Sequence, residues 1–201
     1  DESWQGTENG PVLLADLELG EIYDARKEEK EDWHPARVMD FDFSNLVSTK
    51  SVPVTEHETF EGKRFTAPNG DVVYDFGQNL AGYTSFVVED AKEGQEIPLV
   101  HGETLDETGN FTIANFQPGD RNKSGGIKQE IHYICKDGRN EYKPAFSLFG
   151  FRYAKIVTEI DLSKIKIKSI AVYSDMKQTG EFCCSDASVN RLFQNSVWSM
   201  K

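Results

Sequence analysis

The residues best suited to chemistry in this sequence are acidic side chains that follow a histidine. Glu103, Asp106 and Glu107 come shortly after His101, and a carboxylate beside an imidazole can act as a general acid or base. Acidic side chains at a hairpin end are also commonly solvated, or they cap the turn. In a chain this acidic, such groups also arise by chance. We therefore interpret the cluster as structural and assign no catalytic residue.

His101 and Glu103 are two positions apart, so in a strand their side chains would share one face. That face could pack against a neighbouring domain or contact a glycan. We predict interdomain packing, with glycan contact and no special role as the alternatives.

Aromatic residues recur at every second position near residue 150. Phe149, Phe151 and Tyr153 would occupy one strand face, with Gly150 and Arg152 on the other. Aromatic side chains at this period pack well between sheets, which predicts a core position. The alternative is an exposed platform that stacks on a sugar or meets another domain, with Phe149 and Arg152 as contacts.

Asp75, Gln78 and Asn79 supply the carboxylate and amide oxygens that Ca²⁺ or sugar hydroxyls prefer. The alternative is a strand end, where Gly77 turns the chain and these side chains satisfy backbone groups. The four histidines and three cysteines lack the spacing of a tetrahedral zinc site, and we predict no metal and no cofactor, with Ca²⁺ only weakly supported.

Charge and composition exclude several classes of partner. The net charge is -12, from 34 acidic and 22 basic side chains, which disfavours nucleic acid and anionic membranes. No apolar run approaches the ~20 residues that span a bilayer. The chain starts at Asp1 without a leader pattern, so we interpret this start as an arbitrary or processed end, and the compartment stays open between cytoplasm and export.

The elements that position these residues are predicted to be antiparallel strands, because turn signals separate short runs rich in Val, Ile, Phe, Tyr and Thr. Asn69-Gly70 and Asp137-Gly138 each predict a tight hairpin. Residues 106–110 predict a third hairpin, which turns at Gly109. Further strands are predicted at 127–135, 145–158 and 165–174.

The chain ends in a different pattern. Val189, Leu192, Phe193, Val197 and Met200 have helical spacing, and Ser185 and Asp186 before them are suitable N-caps. This predicts one amphipathic helix, and its unbroken stripe at Lys201 suggests truncation in or just after it. The first 48 residues contain too few apolar residues to form a core. We therefore interpret them as the closing strands of a preceding domain or as an extended arm.

Several phrases in this order resemble the region that precedes the catalytic barrel in bacterial α-L-rhamnosidases. They are Trp4 with Gly10-Pro11, GEIYDAR at 20–26, YDFGQNLAG at 74–82, HGETLD at 101–106, YKPAF at 142–146 with FGFRY at 149–153, and TGEFCCS at 179–185 with Asn190-Arg191-Leu192. Phe149 stands where relatives usually have His, and the polar stretch 117–126 departs from their pattern.

The resemblance implies a concanavalin-like or jelly-roll β-sandwich with an N-terminal extended arm and a C-terminal linker helix. It divides the chain into residues 1–48, the sandwich at 49–181 and the linker helix at 182–201. It further implies that an inverting glycosidase reaction on terminal α-L-rhamnose takes place in a downstream helical (α/α)6 barrel, which this region braces. The alternative is a stand-alone carbohydrate-binding module.

Overall fold

The structure is a computed structural model that describes residues 3–28, 32–117 and 126–201. Most of the polar stretch 117–126 therefore lies outside the described residues. The described strands are β1 (Gln5–Gly6), β2 (Val12–Asp16), β3 (Gly20–Asp24), β4 (His34–Pro35), β5 (Val54–Glu61), β6 (Lys63–Thr66), β7 (Val72–Ala91), β8 (Glu96–Gly102), β9 (Thr104–Leu105), β10 (Phe111–Thr112), β11 (Glu130–Ile134), β12 (Gly138–Tyr142), β13 (Phe149–Ile156) and β14 (Ile165–Ser174). They are followed by the helix α1 (Ala187–Ser199).

Most of the described strands form one curled sheet in the order β2-β3-β11-β8-β13-β7-β14-β5, with β6 and β12 also paired to β7. β7 is 20 residues long. Its first half pairs with β13 and its second half with β14, so it passes from one layer to the other. The predicted all-β, concanavalin-like sandwich is confirmed. The sheet is mixed rather than purely antiparallel, because β3 and β11 run parallel.

Aromatic side chains fill the space between the layers. Phe86, from the second half of β7, meets Tyr133 of β11 edge to face with ring centroids 5.2 Å apart. Tyr142 of β12 lies 4.8 Å from Tyr133. Alternation along the strand predicted at 127–135 places Ile127, Gln129, Ile131, Tyr133 and Cys135 on one face; the last four are buried, whereas Ile127 is only half-buried. Period-two patterning thus places β11 with one face in the core.

The segment before residue 48 contributes two of the sheet's strands. β3 pairs with β11, and its Glu21 is almost fully buried. The Glu21 carboxylate accepts hydrogen bonds from the Tyr142 hydroxyl and from the backbone N–H of Phe146. In contrast, residues 36–53, which we call the arm, are exposed at every position.

The hairpin predictions have different outcomes. The turn at Asn69-Gly70 joins the paired strands β6 and β7, and Gly70 has a φ of 91°, so this prediction is confirmed. The hairpin at residues 106–110 is also confirmed, because β9 pairs with β10. The prediction for Asp137-Gly138 is wrong: Gly138 turns the chain, but β11 and β12 pair with β8 and β7 in different layers.

The predicted terminal helix is confirmed, with Asp186 as its N-cap accepting from the backbone N–H groups of Ser188 and Val189. The three cysteines are free thiols, and only Cys135 of them is buried. Among the helices that the structure describes, none is both long and apolar enough to cross a bilayer.

Candidate functional site

The candidate site is a groove where three of the sequence phrases meet the terminal helix. Its cavity has a volume of about 470 Å³. Its lining comes from the bend in β7, the residue after β8, the start of β13, the end of β14 and the end of α1: Gln78, Asn79, Leu80, Ala81, Glu103, Gly150, Ala171, Tyr173, Trp198, Ser199 and Lys201. We call it the α1 groove.

Asp75 and Arg152 form a bidentate ion pair beside this groove. Arg152 Nε lies 2.8 Å from Asp75 Oδ1, and Nη2 lies 2.9 Å from Oδ2. The backbone N–H of Gly77 also donates to Oδ1 at 2.7 Å, where a φ of 77° bends β7. The Arg152 guanidinium holds the pKa of Asp75 below its usual value. Because both carboxylate oxygens are hydrogen-bonded, Asp75 stabilises the bend in β7 and ties β7 to β13.

Glu103 and Asn79 contact each other across the groove. Asn79 Nδ2 lies 3.4 Å from Glu103 Oε1, and Asn115 Nδ2 donates to Oε2 at 2.6 Å. Glu103 is half-buried. The sequence prediction missed Asn115, which lies in a short 3-10 helix at Ala114–Phe116, directly after β10. The structure therefore places Asn79 with Glu103, and Asp75 with Arg152, in two separate polar pairs.

The terminal helix attaches to the groove through its last turn. Trp198 Nε1 donates to the backbone oxygen of Asn79 at 2.7 Å, and its ring meets Phe60 edge to face at 5.9 Å. Lys201 Nζ lies 2.7 Å from Glu58 Oε1. Trp198 is nine residues after Val189, which is half a turn away from the apolar stripe at 100° per residue. The apolar stripe therefore does not predict this contact.

The aromatic rings of the groove are already covered. His57 stacks on Tyr173 with ring centroids 3.6 Å apart and planes 4° apart. Lys201 Nζ lies 5.0 Å from the centre of the same Tyr173 ring and 5.1 Å from that of Trp198. A sugar ring stacks on an open aromatic face. These contacts therefore favour a packed attachment point for the helix over a sugar platform.

His101 and Phe149 lie in the core rather than at a surface. His101 has no exposed area, and Phe149 stacks on its ring with centroids 4.6 Å apart. His101 Nδ1 is 2.8 Å from the carbonyl oxygen of Gln129, which can only accept, so Nδ1 carries the proton. Nε2 then accepts from the Thr84 hydroxyl at 2.9 Å. Burial lowers the pKa of His101 to about 4, so the ring is neutral.

Of the two remaining acidic candidates, Glu107 is exposed and Asp106 is part of a turn. Asp106 Oδ1 accepts from the backbone N–H groups of Thr108 and Asn110, both at 2.9 Å, and from the Thr108 hydroxyl at 2.7 Å. These hydrogen bonds, led by the Thr108 hydroxyl, lower the pKa of Asp106. Within the described ranges, no three His, Cys, Asp or Glu side chains are grouped so that they could hold a metal ion.

Fold and site together define a concanavalin-like β-domain whose polar clusters hold strands and a helix in place. The model of the bacterial alpha-L-rhamnosidase concanavalin-like domain matches residues 65–173, and the chain belongs to that family.

The matched relatives are all longer proteins. An alpha-L-rhamnosidase from Formosa agariphila is 32% identical over 214 residues, covering 100% of this chain and 22% of its own length. The crystal structure of the native enzyme from Aspergillus terreus is 30% identical with a TM-score of 0.80, covering 100% of this chain and 24% of that one. The structure of the enzyme from Dictyoglumus thermophilum is 31% identical with a TM-score of 0.80, covering 98% and 23%. This chain thus spans less than a quarter of each relative.

Proposed function

We propose that this chain is a non-catalytic accessory region of a larger α-L-rhamnosidase and that it braces a helical catalytic barrel in the same polypeptide. The observation that carries the proposal is the match of the whole chain to less than a quarter of proteins with that activity. The structural roles of the acidic candidates support it. Asp75 pairs with Arg152, Glu103 binds two amides, and Asp106 caps its own loop.

The reaction of the parent protein would be hydrolysis of terminal α-L-rhamnose from glycans or glycosides. An inverting mechanism needs one carboxylic acid to protonate the leaving oxygen and one carboxylate to activate water, ~6.5–9.5 Å apart. In this proposal both groups belong to the barrel. The β-sandwich contributes rigidity, since a pocket is accurate only when the elements around it are held by packed neighbours.

The division of the chain follows from the same proposal. Residues 49–181 form the bracing sandwich, residues 182–201 lead towards the barrel, and residues 1–48 combine sheet strands with most of the arm. β3 lies before residue 48 and pairs with β11, which lies after it. We therefore propose that the boundary at residue 48 separates two roles and not two independently folded units.

A carbohydrate-binding module is the second candidate, because the α1 groove combines Tyr173 and Trp198 with the polar Asn79 and Glu103. The covered ring faces make it the weaker one. Isothermal titration of the 201-residue chain with L-rhamnose separates the two: an accessory brace gives no saturable heat, whereas a module gives saturable binding that Trp198→Ala abolishes.

Activity assays test the main proposal. The 201-residue chain and the longest polypeptide encoded in frame with it are each incubated with an aryl α-L-rhamnoside. We expect aryl alcohol release from the longer protein alone. Release by the 201-residue chain, or none by a correctly folded longer protein, would overturn the assignment.

A further inference from the structure

Large apolar side chains are exposed mainly outside the part of the chain that matches the family domain. Among the described residues, the exposed ones within 65–173 are Phe146, Leu148 and Val157. The others precede or follow that range: Trp4, Val12, Leu13, Leu17, Trp33, Val38, Met39, Phe41, Phe43, Leu46, Val47, Val52, Val54, Met176, Phe182, Val189, Leu192 and Met200. The domain thus covers its own apolar residues, whereas its flanking segments do not.

The arm, residues 36–53, carries the densest group of these side chains. Met39, Phe41 and Phe43 are 72%, 69% and 64% exposed. They alternate with Asp40 and Asp42. The Phe41 and Phe43 rings lie 5.3 Å apart, so they project on the same side of the chain. Residues 39–43 of the arm therefore have one apolar side and one acidic side, as an extended segment has when half of it is buried.

The composition of the arm differs from that of a flexible linker. Linkers are rich in Gly, Ser, Pro or charge, and a long connection without secondary structure inside a compact domain is usually functional. Both ends of the arm are held: Ala36 donates its backbone N–H to Trp4 at 2.8 Å, and β5 starts at Val54. The arm is thus connected at one end to the two-stranded ribbon of β1 and β4 and at the other end to β5 of the main sheet. Contiguous apolar surface of this kind marks an interaction site.

We propose that the arm is an interdomain strap, in which Met39, Phe41 and Phe43 dock into an apolar groove on the remainder of the same polypeptide. This inference rests on the proposed function, because it requires a longer protein. The relatives match the arm as part of their own single chains, and yet the arm lies outside the family domain at 65–173. A groove on the same polypeptide is also favoured over a groove on another molecule, because the covalent connection gives it a high effective concentration.

Hydrogen exchange tests the strap in the intact protein. Amide exchange is measured by mass spectrometry in the 201-residue chain and in the longest polypeptide encoded in frame with it. We expect exchange in residues 38–47 to be about 100-fold slower in the longer protein. Exchange in β8, which lies in the core, is slow in both and serves as the reference. Equally fast exchange of the arm in both proteins would overturn the proposal.

Matched variants of the longer protein identify the side chains. Phe41→Ser with Phe43→Ser should restore fast exchange of the arm, whereas Val157→Ser, at a 62% exposed position inside the family domain, should not. Protection of the arm in a dimer of the 201-residue chain, detected by sedimentation, would show a second copy as the occupant and overturn the strap. An inactive longer protein with a protected arm would refute the proposed function alone. An active one with an unprotected arm would refute the strap alone.

Discussion

Glu21, in the phrase GEIYDAR at 20–26, has a structural role. Its carboxylate is 1% exposed and accepts hydrogen bonds from the Tyr142 hydroxyl and the backbone N–H groups of Ala145 and Phe146. A buried charge is tolerated only when it is fully hydrogen-bonded. The phrases GEIYDAR and YKPAF are therefore two halves of one contact, which the sequence pattern could not reveal because their strands are distant in the chain.

The first prediction concerns this contact. Glu21→Gln keeps the shape but directs an amide N–H₂ at groups that are themselves donors. We expect the free energy of unfolding to fall by about 2–3 kcal/mol, measured by urea denaturation at neutral pH. Glu107→Gln, at an exposed turn position, should change it by less than about 0.5 kcal/mol. Equal stability of the two variants would show that the buried carboxylate has no special role.

The second prediction is a pH dependence that originates at His101. Its pKa is about 4 when folded and 6.5 when unfolded, so the unfolded chain binds the extra proton first as the pH falls. The contribution of His101 is fully present above pH 6.5 and is lost as the pH drops towards 4. The loss amounts to about 3 kcal/mol.

Urea unfolding between pH 7 and 4 measures this loss. His101→Gln should flatten the decline relative to the parent chain. His34→Gln, at a ring that is 77% exposed, should leave it unchanged. A decline of the same slope in the His101 variant would contradict the assignment.

At the scale of elements, turn chemistry predicted where the chain turns but not always which strands pair. Asn69-Gly70 and Asp137-Gly138 have the same local signal, and only the first joins paired neighbours. Beyond Gly138 the Asn140 side chain holds the crossing loop, because it accepts from the Tyr133 hydroxyl at 3.1 Å and donates to the carbonyl of Lys136 at 2.8 Å. The strands that pair with β11 and β12, namely β8 and β7, lie far from them in the chain, so a local pattern does not reveal them.

The third prediction concerns the attachment of α1. Trp198→Ala removes both the hydrogen bond to Asn79 and the packing on Phe60. We expect amide exchange in the last two turns of α1 to accelerate about tenfold, since the helix is held at this end. Trp198→Phe should have an intermediate effect. Leu192→Ala, on the 65% exposed stripe, should have little effect, and an acceleration equal to that of Trp198→Ala would place the attachment elsewhere.

At the scale of the whole molecule, alternation and turn signals were enough to predict a β-rich chain with a terminal helix, because both depend on local periodicity, while the family resemblance supplied the concanavalin-like sandwich. The candidate site was only partly predictable. Asn79 and Glu103 do line one groove, whereas Arg152 pairs with Asp75, and His101 and Phe149 face the core. Period two assigns side chains to one of two faces. It does not say which face is covered by the second layer.

The last prediction tests whether residues 1–48 fold with the sandwich. Their removal deletes β2 and β3, exposes the edge of β11 and leaves the Tyr142 hydroxyl without Glu21. We expect the 49–201 fragment to melt at least about 10 °C lower than the full chain, or to lose cooperative unfolding, because several kcal/mol of pairing and buried hydrogen bonds disappear together.

Removal of residues 187–201 should lower the melting temperature by only a few degrees, on the order of 2–4 °C per kcal/mol, since α1 attaches mainly through Trp198 and Lys201. Thermal melts followed by circular dichroism compare the three proteins. If the 49–201 fragment melts with the full chain, β2 and β3 are separable from the sandwich, and the parallel pair with β11 contributes nothing to its stability.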